Sequence, residues 1–150
     1  MPTDDRTLIL GLLRDQERAT AAGDSAAATA PLATDAIVYD LPPPLQHRGE
    51  ASRNRAALDA WFETWESGVS VELADPVVLV DGDLAVVFGL SRMRGIKKGD
   101  GPIDSWNRRT IVLRRSDDGW RIVHEHASYP MAMDGSGRAM TDLEPEDATS

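Results

Sequence analysis

Residues 103–131, IDSWNRRTIVLRRSDDGWRIVHEHASYPM, constrain the fold more than any other part of the chain. They read as two long β-runs joined by a turn at Ser116-Asp117-Asp118-Gly119. Side chains two apart in a strand share a face. One face of the first run therefore carries Asp104, Trp106, Arg108, Thr110 and Val112, and one face of the second carries Trp120, Ile122, His124, His126 and Ser128. That mixture is too polar for a core and too aromatic for open solvent. It reads as the wall of a half-dry cavity, where a few convergent polar groups orient a ligand among apolar ones.

The rest of the chain supplies what such a wall must face. Asp5 to Ala22 has a three-and-four apolar stripe and ends at Gly23, and Asp24 is placed to cap a second, short helix from Ser25 to Ala28, which Pro31 stops. Asp35 to Asp40 is a short strand, closed by the prolines Pro42, Pro43 and Pro44, which cannot donate to a ladder. From Glu50 to Trp65 the spacing of Ala57, Leu58, Trp61, Phe62 and Trp65 is helical again, so its aromatic side must lie on a sheet. Val69 to Val80 and Leu84 to Gly95 are strands joined by a tight hairpin at Asp81-Gly82, and a Gly-rich link leads to the opening stretch. Helices first and antiparallel strands after make an α+β layout, with the helices on one face of a bent sheet. With 150 residues a single domain is expected, spanning 1–131, followed by an acidic, weakly structured tail over 132–150.

Composition removes several classes of function. A net charge of -9 and a pI near 4.7 argue against a nucleic-acid partner, and the cluster Arg92, Arg94, Lys97 and Lys98 reads as a solvated edge. Without cysteine there is no disulfide, thiolate metal site or Cys nucleophile. The first residues lack the basic flank of a secretion signal, and no stretch has the length of a membrane span. A cytoplasmic protein handling a small molecule, with no membrane partner, is the expectation.

The segments GDSAAATAPLATDAIVYD, RGEASRNRAALDAWFETW and DSWNRRTIVLRRSDDGWRIVHEHASYP, in this order, resemble the SnoaL-like, or nuclear transport factor 2-like, superfamily. The likeness is to its ketosteroid isomerase-like members and to the association domain of calcium/calmodulin-dependent kinase. The resemblance implies a cone-shaped, cystatin-like α+β fold, in which a curved antiparallel sheet wraps around a long helix with two further N-terminal helices. It implies a deep pocket as well, and a homodimer or larger homo-oligomer formed through the sheet. It also places a general base at Asp40. The isomerase's helical tyrosine is matched here by Gln16, and its second acid lies near Arg108, so only the general architecture carries over.

Asp40, Arg108 and His126 are thus the candidate catalytic groups: Asp40 to move a proton, and Arg108 and His126 to stabilise a developing oxyanion. Gln16, Tyr39, Trp61, Trp65, Met93, Asp104, Trp106, Thr110 and Ser128 are candidate ligand contacts. Each has a plainer reading. Asp40 can accept hydrogen bonds from the amides of the corner, Arg108 can pair with Asp104 or Asp40, and the histidines can form a hydrogen-bonded set. His124 and His126 have no third ligand placed by spacing, so no metal is expected, and no cofactor is called for. The leading reading is a cofactor-independent proton-transfer enzyme, of isomerase, cyclase or hydratase type, acting on a small, partly apolar carbonyl or carboxylate compound. The alternative is a non-catalytic ligand-binding or oligomeric scaffold module.

Overall fold

The computed structural model describes residues 4–146. Helix α1 spans Asp5–Ala21 and is capped by Asp4, whose carboxylate accepts from the Thr7 amide at 2.7 Å. It buries Ile9, Leu13 and Ala19 on one side. Gly23, at φ 71°, turns the chain, and Asp24 caps the short helix α2 (Ser25–Thr29) through the Ala27 amide. Strand β1 (Leu32–Tyr39) runs into the proline corner, after which come the two-residue β2 (His47–Arg48) and a 3-10 turn (Gly49–Arg53). Helix α3 (Arg55–Phe62) starts from an Asn54 cap. It is shorter than its aromatic spacing suggests, because Trp65 does not close the helix but opens β3 (Trp65–Asp81).

Strands β3, β4 (Leu84–Lys97), β5 (Gly101–Ser116) and β6 (Gly119–Ser128) form the expected antiparallel meander. The sheet order is β2-β1-β6-β5-β4-β3. It is not wholly antiparallel: β1 lies parallel to β6, since the long path from β1 through α3 and the meander lets β6 run in the same direction. In the β3–β4 hairpin the two turn residues are Gly82 and Asp83, and only Gly82 has positive φ, so the glycine sits at the first central position.

Irregularities bend the sheet. In β3 the register shifts between Ala74 and Val77, with Asp75 at φ 43°, and Gly89 opposite leaves room for the Ala74 carbonyl, 3.2 Å from where a Cβ would be. In β6 Leu113 pairs with Ile122 but Val112 pairs with His124, so Val123 is an inserted residue. The core forms where α1 crosses the sheet. Ile9 and Leu13 pack with Leu32 and Ala36 of β1, Leu73 of β3, Val87 of β4, Ile111 and Leu113 of β5, and Trp120 and Ile122 of β6.

The chain after β6 is more ordered than its composition suggests. Ala132 donates to the Arg138 carbonyl and Met140 to that of Pro130, both at 2.8 Å, folding residues 131–140 back on themselves. Ala132 is buried. Residues 147–150 of the tail lie outside the described residues.

Candidate functional site

At the end of the sheet away from this core, the space between the second half of α1, α3 and the strands stays open as a cavity of about 900 Å³. The inward faces of the strands are set by the core residues further along them. On β5, Ile111 and Leu113 are fully buried, so Arg109, Asn107 and Ser105 continue the same face. Opposite them, β4 presents Ser91 and Met93, and beyond its inserted residue β6 presents Glu125 and Ala127. Leu58 and Trp61 of α3 and Gln16 and Thr20 of α1 close the cavity from the helical side.

Arg109 is the dominant polar group. Its Nη2 donates to Glu125 Oε1 at 2.5 Å and to Gln16 Oε1 at 3.4 Å, and the two charged side chains are only 15% and 16% exposed. Gln16 is held in turn by its own Nε2, which donates to the Ala28 carbonyl at 3.0 Å and so turns Oε1 toward the guanidinium. Both bonds leave from Nη2. Arg109 Nε and Nη1 have no partner among the described residues, and the side chain lines the cavity. Asn107 is 4% exposed and Ser91 1% exposed, and Ser91 Oγ has no hydrogen-bond partner. Nearby, Ser105 Oγ and the Tyr129 hydroxyl share a 2.8 Å hydrogen bond.

The mouth is built from the sheet edge and the proline corner. Asp40 stands there, exposed, and accepts from the Leu41 amide at 2.8 Å, the turn-closing role open to an Asp before a corner. His47, cross-strand from Val38, lines the same opening with Pro42 and Pro43. Ala139 and Thr141 of the refolded C-terminal stretch complete it.

Of the residues singled out in the sequence, Gln16, Asp40, Trp61 and Met93 lie at this cavity. Tyr39 borders it but turns its ring edge-on to His124 and His126, at 4.7 and 5.3 Å. The others are placed elsewhere: the parity expected of β5 is reversed throughout, and that of β6 beyond Val123. Arg108 lies on the outer face, exposed, and donates to the Ser128 carbonyl and Oγ at 3.2 Å. Asp104 is also outside, where Arg92 donates to both of its oxygens at 2.8 and 2.7 Å. These bonds hold the Asp104 carboxyl below the usual carboxylate range. Trp106 lies under Arg92, 5.3 Å from ring centroid to guanidinium carbon. Thr110 and His126 are paired across the outer face, with His126 exposed. Trp65 is buried without lining the cavity; its ring lies against Gly95, and Lys97 Nζ stands 4.4 Å from it. In β5 the inward set is the odd-numbered one, fixed by Ile111 and Leu113, and in β6 the insertion at Val123 turns His124 and His126 out and Glu125 in.

Ser91, Asn107, Arg109, Glu125 and His47 were therefore not identified from the sequence. Ile111 and Leu113, two apolar residues of one parity at the end of β5, were the available signal for Arg109 and Asn107. Nothing in the sequence marks the insertion that brings in Glu125. Among the described residues no group of three or more His, Asp or Glu side chains is placed to hold a metal ion. Nor is any helix among them long and apolar enough to cross a membrane.

Comparison with known proteins agrees with this architecture. The chain belongs to the SnoaL-like domain family, whose model matches residues 9–132. Among solved structures it is similar to an NTF2-like protein of unknown function from Pseudomonas putida KT2440, with 29% identity, 93% of this chain and 95% of that one covered, and a TM-score of 0.80. It is also similar to an NTF2-like protein with a cystatin-like fold from Novosphingobium aromaticivorans, with 22% identity, 90% and 86% covered, and a TM-score of 0.64. The CaMKII hub of S. rosetta shares 24% identity over 85% of this chain and 98% of that one, with a TM-score of 0.64. No curated protein matches the chain significantly.

Proposed function

We propose that this SnoaL-like chain binds a small, partly apolar carbonyl or carboxylate compound in its cavity and carries out proton transfer on it. One observation carries the reading. Arg109 lines a cavity whose walls are largely apolar, is fixed through Nη2 by Glu125 and Gln16, and has no partner for Nε or Nη1 among the described residues. A guanidinium held in this way can meet a carboxylate, or the oxyanion that develops when a proton leaves the carbon beside a carbonyl, without reorganising. Trp61, Leu58 and Met93 offer the apolar walls. Asp40 and His47 at the mouth are the groups able to take or return a proton. Glu125 is a poorer base, because one of its oxygens is already engaged by Arg109.

A thermal-shift screen of small carboxylates and cyclic ketones, followed by calorimetry, tests the binding half. In a Glu125→Gln background, so that loss of the guanidinium leaves no unpaired carboxylate, Arg109→Met should weaken carboxylate binding about ten- to a hundred-fold, the range for a hydrogen bond to a charged group. An affinity indifferent to Arg109 would overturn the reading. For any compound turned over, Asp40→Asn or His47→Gln should lower kcat about 10²- to 10⁴-fold while leaving binding near wild type.

A second role is compatible with the first. Val77, Leu79, Phe88 and Leu90 stand on the outer face of β3 and β4 with 44%, 56%, 38% and 40% of their surface exposed. Such a row on one sheet face fits self-association, and one structural neighbour is by name a hub. Sedimentation of Leu90→Asp should then give a smaller species than wild type, with cavity binding intact.

A further inference from the structure

We propose that the Tyr129 hydroxyl, oriented by Ser105, donates a hydrogen bond to a carbonyl oxygen of the ligand and stabilises the enolate formed from it. The inference rests on the reading of the cavity as a proton-transfer site and adds to Arg109 an uncharged donor. Ser105 Oγ and the Tyr129 hydroxyl stand 2.8 Å apart, and neither has another hydrogen-bond partner among the described residues. Ser105 is 4% exposed and does not border the cavity, whereas Tyr129 is half-buried and does. Met93, cross-strand from Ser105, lines the cavity too, so the pair of hydroxyls sits in its wall.

Each hydroxyl has one hydrogen to give. The bond between them uses one, and the other needs an acceptor. If Tyr129 donated, the serine hydrogen would be left buried with no acceptor among the described residues, and an unmade buried hydrogen bond is costly. The favoured arrangement therefore has Ser105 donate to Tyr129, which frees the phenolic hydrogen for the cavity. No acid bordering the cavity accepts it: Glu17 is held by Arg14 and the Leu73 amide, Glu125 by Arg109, and Asp40 by the Leu41 amide. A phenol carries no charge, so it suits a neutral carbonyl oxygen, and its bond strengthens as that oxygen becomes anionic. When the base takes a proton from the carbon beside the carbonyl, the C–H pair forms the new C=C bond and the carbonyl π pair passes to the oxygen, where Tyr129 meets it. Return of the proton to another carbon closes the sequence without a co-reactant. The substrate class is thus an enolisable ketone, aldehyde or ester.

Absorbance titrations of the full chain with 4-nitrophenol, above and below the probe's own pKa, test this, because the phenolate stands in for an enolate. Tyr129→Phe should weaken phenolate binding about ten- to a hundred-fold and binding of the neutral phenol only about two- to ten-fold, the ranges for hydrogen bonds to charged and uncharged groups. Ser105→Ala should weaken phenolate binding less, and should add nothing in the Tyr129→Phe background, because the serine acts only through the phenol. Tyr129→Phe should melt below wild type, since it strands a buried hydroxyl, and the double variant should melt above the single one, which separates folding from affinity. Phenolate affinity that survives Tyr129→Phe, an equal loss for both forms of the probe, or a serine effect that persists without the phenol would overturn the inference. Benzoate keeps the two readings apart: if it binds through Arg109 while 4-nitrophenol is indifferent to Tyr129, only this inference falls, and if neither probe binds, both readings fall.

Discussion

Glu125→Leu is the substitution that best measures how dry the cavity is. It strands Arg109, whose only other hydrogen bond among the described residues is the long 3.4 Å one to Gln16. An exposed ion pair contributes at most about 1 kcal/mol, whereas removing one partner of a fully buried pair costs about 3–5 kcal/mol. Side-chain exposures of 15% and 16% put this pair nearer the second case. Arg109 lines the cavity, where water can partly solvate the charge, so the expected cost is about 2 kcal/mol. Arg109→Met combined with Glu125→Leu replaces both charges with apolar groups of similar length, and should return to within about 1 kcal/mol of wild type.

Urea unfolding followed by circular dichroism separates these values, since a slope of about 1–3 kcal/mol per molar makes 2 kcal/mol a midpoint shift of about 1 M. If single and double variants both unfold with the wild type, the pair is fully solvated and the cavity is no place for tight recognition of an anion. If the double variant falls as far as the single, the loss is one of packing and not of a stranded charge. The single variant should also bind benzoate more tightly than wild type while being less stable, because the carboxylate that competes for Nη2 is gone.

Three further predictions concern the scaffold. Gly95→Ala should destabilise by about 1–3 kcal/mol in denaturant titrations, because overpacking has no easy relief here: the new Cβ would stand 2.8 Å from Trp65 Cε3 and 2.9 Å from the Gly68 carbonyl. Gly11→Ala should have the opposite sign, stabilising by about 0.5–1 kcal/mol, since Gly11 lies inside α1 with no atom within 4 Å of the added carbon. Asp4 caps α1, and its bond from the Thr7 amide lowers its pKa below 3.8, so its stabilising effect is complete above that value and is lost as pH falls through the folded-state pKa. The melting-temperature gap between wild type and Asp4→Ala should accordingly be open at neutral pH and close in acid; a gap independent of pH would refute the assignment.

The elements set by local chemistry were readable in the chain. Asp24 could be placed as a cap and Gly23 as a helix stop, because each meets a need of its own few residues. The meander followed from turn residues and alternation. Helix α3 was overdrawn because Trp65 continues a helical spacing by coincidence; it is used instead as the first residue of a strand, its ring laid on Gly95. The face of β5 was misread for a different reason. Hydropathy can choose between two faces only when one is polar, and here the outer face carries Trp106 and Val112, beside Phe88 and Leu90 of β4. A sheet with apolar residues on its outer face and polar ones at the cavity end of its inner face gives hydropathy no clear choice between the two.

Strand β6 shows how little sequence is needed to defeat parity. Trp120 and Ile122 do face inward, as alternation from the turn requires. One inserted residue, Val123, then exchanges the faces of everything after it, so the conspicuous His124 and His126 pass to the outer surface and Glu125 enters the cavity. Glu125 there holds Arg109, which the unbroken parity of β5 had already turned inward. The polar centre of the cavity thus depends on a backbone irregularity in one strand meeting regularity in its neighbour. A bulge costs a ladder bond and bends the strand. Its position, at the boundary between the packed core and the open cavity, is where such a bend both curves the sheet around α1 and changes which side chains the cavity receives. Fold and site are set by the same residue, one that carries no functional group.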